Sequence, residues 1–403
     1  MPENNSAAPA AEAPAMTGFL TFVFAAACGL VAANLYYAQP LIGLIAPDIG
    51  LSDTLAGFVV TVTQIGYGIA LLLIAPLGDK LENRRLILVT LIAAGIALAG
   101  MAFTAHPLPF LTAAFLIGLT SVGAQLLVPF AAHLAPDHRR GRIIGNIMAG
   151  LMLGILLARP LSSLLTDLFG WRAVFGIMAG AMLLLAGLLA LLLPRRQPQT
   201  QLSYGRILHS LFGLLRGNAV LRRRAAYHVP LFAAFSLFWT AVPLLLAGPD
   251  FGLSQRGIAL FALAGASGAV AAPLAGRWAD RGWGRFTTGL AMVLVALSFP
   301  AAWFGAELRM LPLLVLAAIA LDFGVQANLV TGQRALFAQA PEARNRLNGL
   351  YIASFFFGGA AGSVLASVSY THGGWTATAL TGLALPLLSL LAFAGEFRRA
   401  PAD

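Results

Sequence analysis

Twelve apolar stretches of about twenty residues follow one another along the chain, and short loops between them hold nearly all the charge. They run over 17–38, 54–75, 86–105, 108–131, 143–165, 172–193, 225–247, 256–276, 286–305, 310–334, 346–369 and 376–395. Each is long enough to cross a hydrocarbon layer of ~30 Å as a helix. Backbone groups in lipid must bond within their own segment, so helix is the only form open to runs of this length. Composition agrees: 10 % of residues are charged, against about 25 % in a soluble domain. The expected fold is an all-α membrane protein with twelve transmembrane helices.

Lysine and arginine orient the helices. With the N-terminus in the cytoplasm, the inner loops and tails hold 21 of the 25 basic residues; the outer loops keep Arg172, Arg256 and Arg309, and Arg159 lies within a span. The expected setting is a bacterial inner membrane with both termini cytoplasmic. Residues 1–15 lack the basic start of a secretory signal and read as a disordered cytoplasmic tail, and 398–403 as a second tail. The net charge of +10 sits in the inner loops, so the basic balance implies a lipid bilayer and no nucleic acid. The single cysteine, Cys28, excludes an internal disulfide framework. The six histidines form no ligand spacing, and no phosphate loop, nucleophile elbow or metalloprotease motif occurs. No metal, cofactor or enzymatic activity is expected. A membrane-embedded sensor or enzyme would need an extramembrane domain or a catalytic constellation, and the longest loop, 194–224, is too short for a domain.

That loop divides the chain into a bundle over 16–193 and a second over 225–397. "RIIGNIMAGLMLG" from Arg142 matches "RLNGLYIASFFFG" from Arg346, so that Arg142 pairs with Arg346, Gly145 with Gly349, Gly154 with Gly358 and Trp171 with Trp375, all 204 residues apart. Two pseudo-symmetric six-helix bundles follow. Within the loop, Ile207, Leu208, Leu211, Leu214 and Leu215 have helical spacing beside Arg206 and Arg216. They form either an amphipathic helix on anionic lipid or a solvated linker.

Two loops carry a further pattern. "GRWADRGWGR", Gly276 to Arg285, fits G-x-x-x-D-R-x-G-R with one extra residue, and "PLGDKLENRR", Pro76 to Arg85, is a shortened form. "NLYYAQPL", "GILLARPLSSLL" and "GWRAVF" complete the set. On these residues the chain resembles a major facilitator superfamily transporter, and within it the drug- and sugar-efflux branch. The resemblance implies secondary active transport by alternating access, with proton-coupled efflux of a small amphipathic compound by a monomer. The alternative is transport of a sugar or small organic anion without proton coupling. It also implies a cytoplasmic gate of Asp79, Arg84, Arg85, Asp280, Arg281 and Arg285, pairing across the halves in one conformation. Helices 1, 4, 7 and 10 would line the path. The branch's helix 5 motif is matched at Gly150, Gly154 and Pro160, but Arg159 stands where a glycine is usual.

Arg159 and Asp322 are the two charges deep in the apolar runs, and ionisable residues there mark functional sites. Arg159 is 17 residues from Arg142 and Asp322 is 12 from Arg334, or ~25 Å and ~18 Å of helix. The difference is about the reach of an arginine. The pair is expected to be coupled, directly or through substrate and water, with Asp322 able to take a proton; a static buried ion pair is the alternative. Ser363 occupies the position equivalent to Arg159 in the other half. Candidate cavity residues are Asn34, Tyr37, Gln64, Tyr67, Gln125, Trp239, Gln326 and Asn328, each alternatively an interhelical hydrogen bond. Tyr36 and Gln39 lie on the same stretch of the first run, where Tyr36 and Tyr37 also fit interfacial anchors. Gly150-x-x-x-Gly154 and Gly358-x-x-x-Gly362 are expected to let helices approach closely.

Overall fold

The computed structural model describes residues 16–198, 203–339 and 343–397; the two expected tails, 1–15 and 398–403, lie outside the described residues. In chain order the α-helices are α1 Gly18–Ala33, α2 Ile42–Asp48, α3 Phe58–Leu73, α4 Asn83–Phe103, α5 Pro107–Thr120, α6 Gly123–Leu134, α7 Arg140–Phe169 and α8 Trp171–Leu192. There follow α9 Tyr204–Gly217, α10 Ala219–Ala247, α11 Gln255–Ala262, α12 Ser267–Asp280, α13 Gly284–Glu307, α14 Leu311–Phe337 and α15 Arg344–Phe397. No strand occurs among the described residues.

Among the described residues, ten segments are long and apolar enough to cross a membrane. One, Arg344–Gly395, has 52 residues and leaves helical geometry at Gly373 and Gly374, so it makes two crossings. The 16-residue α1 is extended by a 3-10 turn, Gln39–Leu41, into α2. Twelve crossings result, as the apolar runs predict. Their outer faces carry exposed Ile96, Leu184, Leu297 and Leu391, while Gln64, Arg159, Ser363 and Asn328 are buried inside. That distribution is inverted for water and suits lipid.

Glycine sets the closest helix seams. A Cβ on Gly154 would overlap the Gly29 backbone, and one on Gly150 would come within 2.6 Å of Ala25. In the second half, a Cβ on Gly358 would meet Val229 at 2.6 Å, and one on Gly362 would overlap the Ala233 backbone. The repeated motif thus seats α7 on α1 and α15 on α10 in the same way. The repeat also covers the turns that follow. Gly170 and Gly374, again 204 apart, have φ of 82° and 60°, a region open to glycine at little cost. Trp171 and Trp375 come next; their indoles donate to Asp48 Oδ2 at 3.0 Å and to the Ala302 carbonyl at 3.1 Å. Asp48 also accepts from Arg172, and that bond holds its carboxyl below the usual range.

Within the central loop the helical spacing is realised as an amphipathic helix, and part of its apolar face is turned to protein. Ser203 caps α9, which packs on protein: Ile207 and Leu211 are buried. The Tyr204 hydroxyl donates to the Leu73 carbonyl at 2.6 Å, and Arg346 donates to Ser210 Oγ at 2.8 Å. The helix therefore touches both halves beneath their basic ends. The helix of the seventh crossing begins at Ala219, six residues before the apolar run, because the Asn218 side chain accepts from Leu221 N and caps it there.

At the end away from the basic loops, the halves meet along two seams. Gly57 N donates to Ser367 Oγ at 2.7 Å, and the Thr61 and Ser363 hydroxyls lie 2.7 Å apart, joining α3 to α15. Arg256 N donates to Asp167 Oδ1 at 3.3 Å, joining α11 to α7. At the basic end a cavity of about 130 Å³ separates Asp79, Asn83 and Gln125 from Asn345, Arg346 and Asn348.

Because the α1–α7 contact at Gly154 has no room for a side chain, Gly154→Val is expected to destabilise the protein by about 1–3 kcal/mol or more. Gly180 has open space around it, so Gly180→Ala should melt like the parent. Thermal unfolding of the three purified proteins in detergent checks this.

Candidate functional site

The fifth crossing brings a guanidinium into the apolar interior. Arg159 lies ten residues before the end of α7 at Phe169, or ~15 Å along the axis. Pro160 follows it within the helix, removing one backbone donor there. The side chain is 4 % exposed. Its Nε donates to Gln39 Oε1 at 2.8 Å. Gln39 reaches it because the first crossing abandons α geometry: the chain tightens through Asn34–Ala38 into the 3-10 turn Gln39–Leu41, with Pro40 next in line. The same tightening presents Tyr36. The guanidinium carbon stands 4.9 Å from the Tyr36 ring centre, 5.0 Å from that of Phe235 and 4.7 Å from that of Trp239. Tyr36 comes from the first half, Phe235 and Trp239 from the second. Three ring faces offset part of the lost hydration by cation–π attraction.

Trp239 connects this cation to the buried acid. Its Nε1 donates to Asp322 Oδ1 at 2.8 Å. The eighth crossing makes room, since α11 passes into a 3-10 segment, Leu263–Ala266. A Cβ on Gly265 would come 2.7 Å from Asp322 Oδ2 and 3.3 Å from the indole. Arg159 and Asp322 interact electrostatically but form no direct hydrogen bond or ion pair: the cation lies over the indole face and the carboxylate at its N–H edge. Of the sequence-based alternatives, the static ion pair is not what the geometry presents. Gln39 and Tyr36 carry more of the site than their place in the sequence suggests. Their polarity near a buried arginine is the only signal for them there, because a 3-10 turn of three residues has no periodicity to read.

The other candidates occupy several places. Gln64 Nε2 donates to Ser236 Oγ at 3.1 Å between the halves. Tyr67 packs on Phe356 with ring centres 4.6 Å apart, and its hydroxyl accepts from Gln125 Nε2 at 3.4 Å. Gln326 Nε2 donates to Met152 Sδ at 3.4 Å across the halves. Asn34 instead donates to Met182 Sδ at 3.6 Å within the first half. Asn328 Oδ1 accepts from His228 Nδ1 at 3.2 Å, since an amide oxygen only accepts. His228 is fully buried, and nothing in the sequence sets it apart from the other histidines. Tyr37 lines a cleft of about 750 Å³ along the α1–α7 seam. The cleft is largely apolar and its lining includes neither Arg159 nor Asp322, so its size alone does not make it the site.

The expected gate is divided. Asp280 pairs with Arg334, within the second half rather than across. A Cβ on Gly276 would lie 2.9 Å from that guanidinium, which places the signature loop's glycine under it. Asp79 does face the other half, where Arg346 acts on it electrostatically together with Arg196 of the central loop. Arg84 donates to the Ala190 carbonyl, and the Arg85 amide to Glu82 at the start of α4. The Arg281 amide closes α12 on the Arg277 carbonyl. Arg285 lies in the first turn of α13.

The comparisons with known proteins agree with this architecture. The model of the Major Facilitator Superfamily matches residues 17–306 and 225–403. The chain is 43 % identical over 387 residues to the transporter YgaY of Escherichia coli O157:H7, covering 95 % of this chain and 97 % of YgaY. It is 34 % identical to "Probable transporter SCO4007" of Streptomyces coelicolor, over 86 % of this chain and 80 % of that one. Among solved structures, a mutant of the nucleoside transporter NupG superposes with a TM-score of 0.76 at 16 % identity, over 94 % of this chain and 99 % of that one; at that identity the likeness is one of fold. The chain belongs to the Major Facilitator Superfamily and is a multi-pass membrane transporter.

Proposed function

We propose that the chain is a proton-coupled secondary transporter that exports a small amphipathic compound across a bacterial inner membrane, working as a monomer by alternating access. The basic end is then cytoplasmic, by the positive-inside rule, with both termini on that side. The observation that carries the reading is the cluster at the centre of the molecule. Arg159, Gln39 and Tyr36 come from the first half, and Phe235, Trp239 and Asp322 from the second. A buried cation and a buried carboxylate linked by one indole respond together to a proton. Protonating Asp322 removes the counter-charge from Arg159 and alters the acceptor for the Trp239 N–H. The contact between the halves then changes without moving any residue far.

The aromatic walls and the two charges supply what an amphipathic compound needs, an apolar surface with a few placed polar groups. The seams at the far end are closed by Gly57–Ser367 and Thr61–Ser363, whereas a cavity remains at the basic end. This arrangement corresponds to the cytoplasm-facing side of the cycle. Asp79 opposite Arg346 supplies an attraction that strengthens as the basic ends close. The efflux direction rests on the resemblance of the helix 5 segment. It is carried despite Arg159 at the position before Pro160.

Proton binding is testable without a substrate. Tryptophan emission of the purified protein should change between about pH 8 and pH 5, because the charge beside the Trp239 indole changes. That part of the signal should disappear in Trp239→Phe and in Asp322→Asn. An unaltered titration in Asp322→Asn assigns the proton to another group and defeats the coupling mechanism. For transport, tetraphenylphosphonium, benzoate and glucose should be screened by thermal shift at both pH values, since a ligand at 100 times its Kd stabilises by about 2.7 kcal/mol. A compound that shifts the parent in a pH-dependent way, and Asp322→Asn without pH dependence, is the one to load into proteoliposomes. Its export should then follow an imposed pH gradient in the parent and ignore it in Asp322→Asn.

A further inference from the structure

Two hydrogen-bond donors in the charged cluster have no acceptor. Arg159 Nη2 and Gln39 Nε2 are buried and without a partner among the described residues. Gln39 is fully buried and Arg159 nearly so. A guanidinium has five N–H donors, and the hydrogen bond from Nε to Gln39 Oε1 is the one the described residues satisfy. Leaving buried donors unpaired is costly, the more so on a charged group. Covalent geometry puts Nη2 on the same edge of the guanidinium as Nε, and Nε2 on the same carboxamide as Oε1. The two idle donors therefore border one hydrogen bond, and an acceptor serving both would have to occupy the space beside it.

The surroundings restrict what fills that space. Rings of Tyr36, Phe235 and Trp239 stand about the guanidinium carbon at 4.7 to 5.0 Å, so a ligand reaches the cation at its edge. The acceptor must be flat, must accept from more than one donor, and is favoured by a negative charge. A carboxylate meets all three conditions: it is planar and charged, and with Nε already bonded to Gln39 its two oxygens can accept one bond from Nη2 and one from Gln39 Nε2. A tetrahedral dianion meets them poorly, being bulkier and more strongly repelled by Asp322 nearby. We infer that the substrate carries a carboxylate, and that Arg159 Nη2 and Gln39 Nε2 grip it.

This inference rests on the substrate site lying at Arg159, as proposed above, and it narrows the substrate class. It also predicts how a proton enters. A simple monocarboxylate would place its charge near Asp322, so it binds better when Asp322 is protonated. A zwitterion would set its ammonium against the Asp322 carboxylate, so it competes with the proton there. Both keep the carboxylate on Arg159 and Gln39.

The test uses the full-length protein in detergent with five aromatic probes: benzoate, benzamide, phenylalanine, phenethylamine and phenyl phosphate. Melting-temperature shifts are titrated to apparent Kd at about pH 5.5 and pH 7.5. The expected result is a shift with benzoate or phenylalanine, and at least tenfold weaker binding of the matched benzamide or phenethylamine. Benzoate should tighten at the lower pH, and phenylalanine should weaken. Arg159→Lys keeps the charge but loses the planar fork, and should weaken carboxylate binding at least tenfold. Gln39→Leu, close in size, should weaken it severalfold. Both variants are first checked for a single size-exclusion peak and a cooperative melt. If Arg159→Lys fails that check, Gln39→Leu and the amide comparison still decide. The inference is overturned if no carboxylate shifts the parent, if the amide or amine binds as well as its carboxylate partner, if phenyl phosphate outbinds benzoate, or if folded variants bind carboxylates unchanged. The pH titration of tryptophan emission needs no ligand, so a failed proton site and a failed carboxylate site are told apart.

Discussion

A guanidinium that cannot shed its proton sits in the apolar interior of this protein, and much of the midplane structure is arranged around it. Water is replaced by one amide oxygen and three aromatic faces. That substitution requires the first crossing to tighten at Asn34–Leu41 and the eighth to tighten at Leu263–Ala266. It also requires Gly265 to leave space for the carboxylate that balances the charge. A direct ion pair would be strongly directional in a low dielectric. An indole between the partners keeps the charges coupled without a direct bond between them.

Glycine packs backbone onto backbone within each half and also between the halves, where a Cβ on Gly57 would meet the Ser363 carbonyl. Inside a half, glycine brings backbone onto backbone at Gly154–Gly29 and Gly362–Ala233, and such packing does not yield without a large loss of contact. Between the halves at the far end, hydroxyls of Thr61, Ser363 and Ser367 carry much of the polar contact. Hydrogen bonds of this type are worth only about 0.6–2 kcal/mol in a membrane. At the far end the two halves therefore meet through close backbone contact as well as hydroxyl hydrogen bonds. The α9 helix, held to Leu73 on one side and Arg346 on the other, ties the same two halves at the basic end.

The loops show where motif reading succeeds and where it misleads. Both signature loops place an acid at the end of a crossing, as expected, yet Asp280 takes Arg334 from its own half while Asp79 faces Arg346 of the other. Charge and position along the chain say that such residues meet a cation. They do not say which, because several arginines at that end lie within reach of each acid. Asn34 and Gln125 illustrate the same limit: both are polar residues on path-lining crossings, but one turns to Met182 in its own half and the other to Tyr67.

Sequence alone determined the twelve crossings, the membrane setting, the internal repeat and the two charges carried into the interior. The reason is that each rests on a one-dimensional property: run length against bilayer thickness, charge segregation, glycine spacing, or the cost of an ion in hydrocarbon. Only tertiary structure decided how those charges are met. Gln39 and Tyr36 reach Arg159 through a turn that no periodicity announces. Trp239 stands between a cation and an anion that lie 163 residues apart in the chain. The placement of three rings about one guanidinium depends on distances among helices, and helix sequences specify their own faces far better than the neighbour that each face will meet.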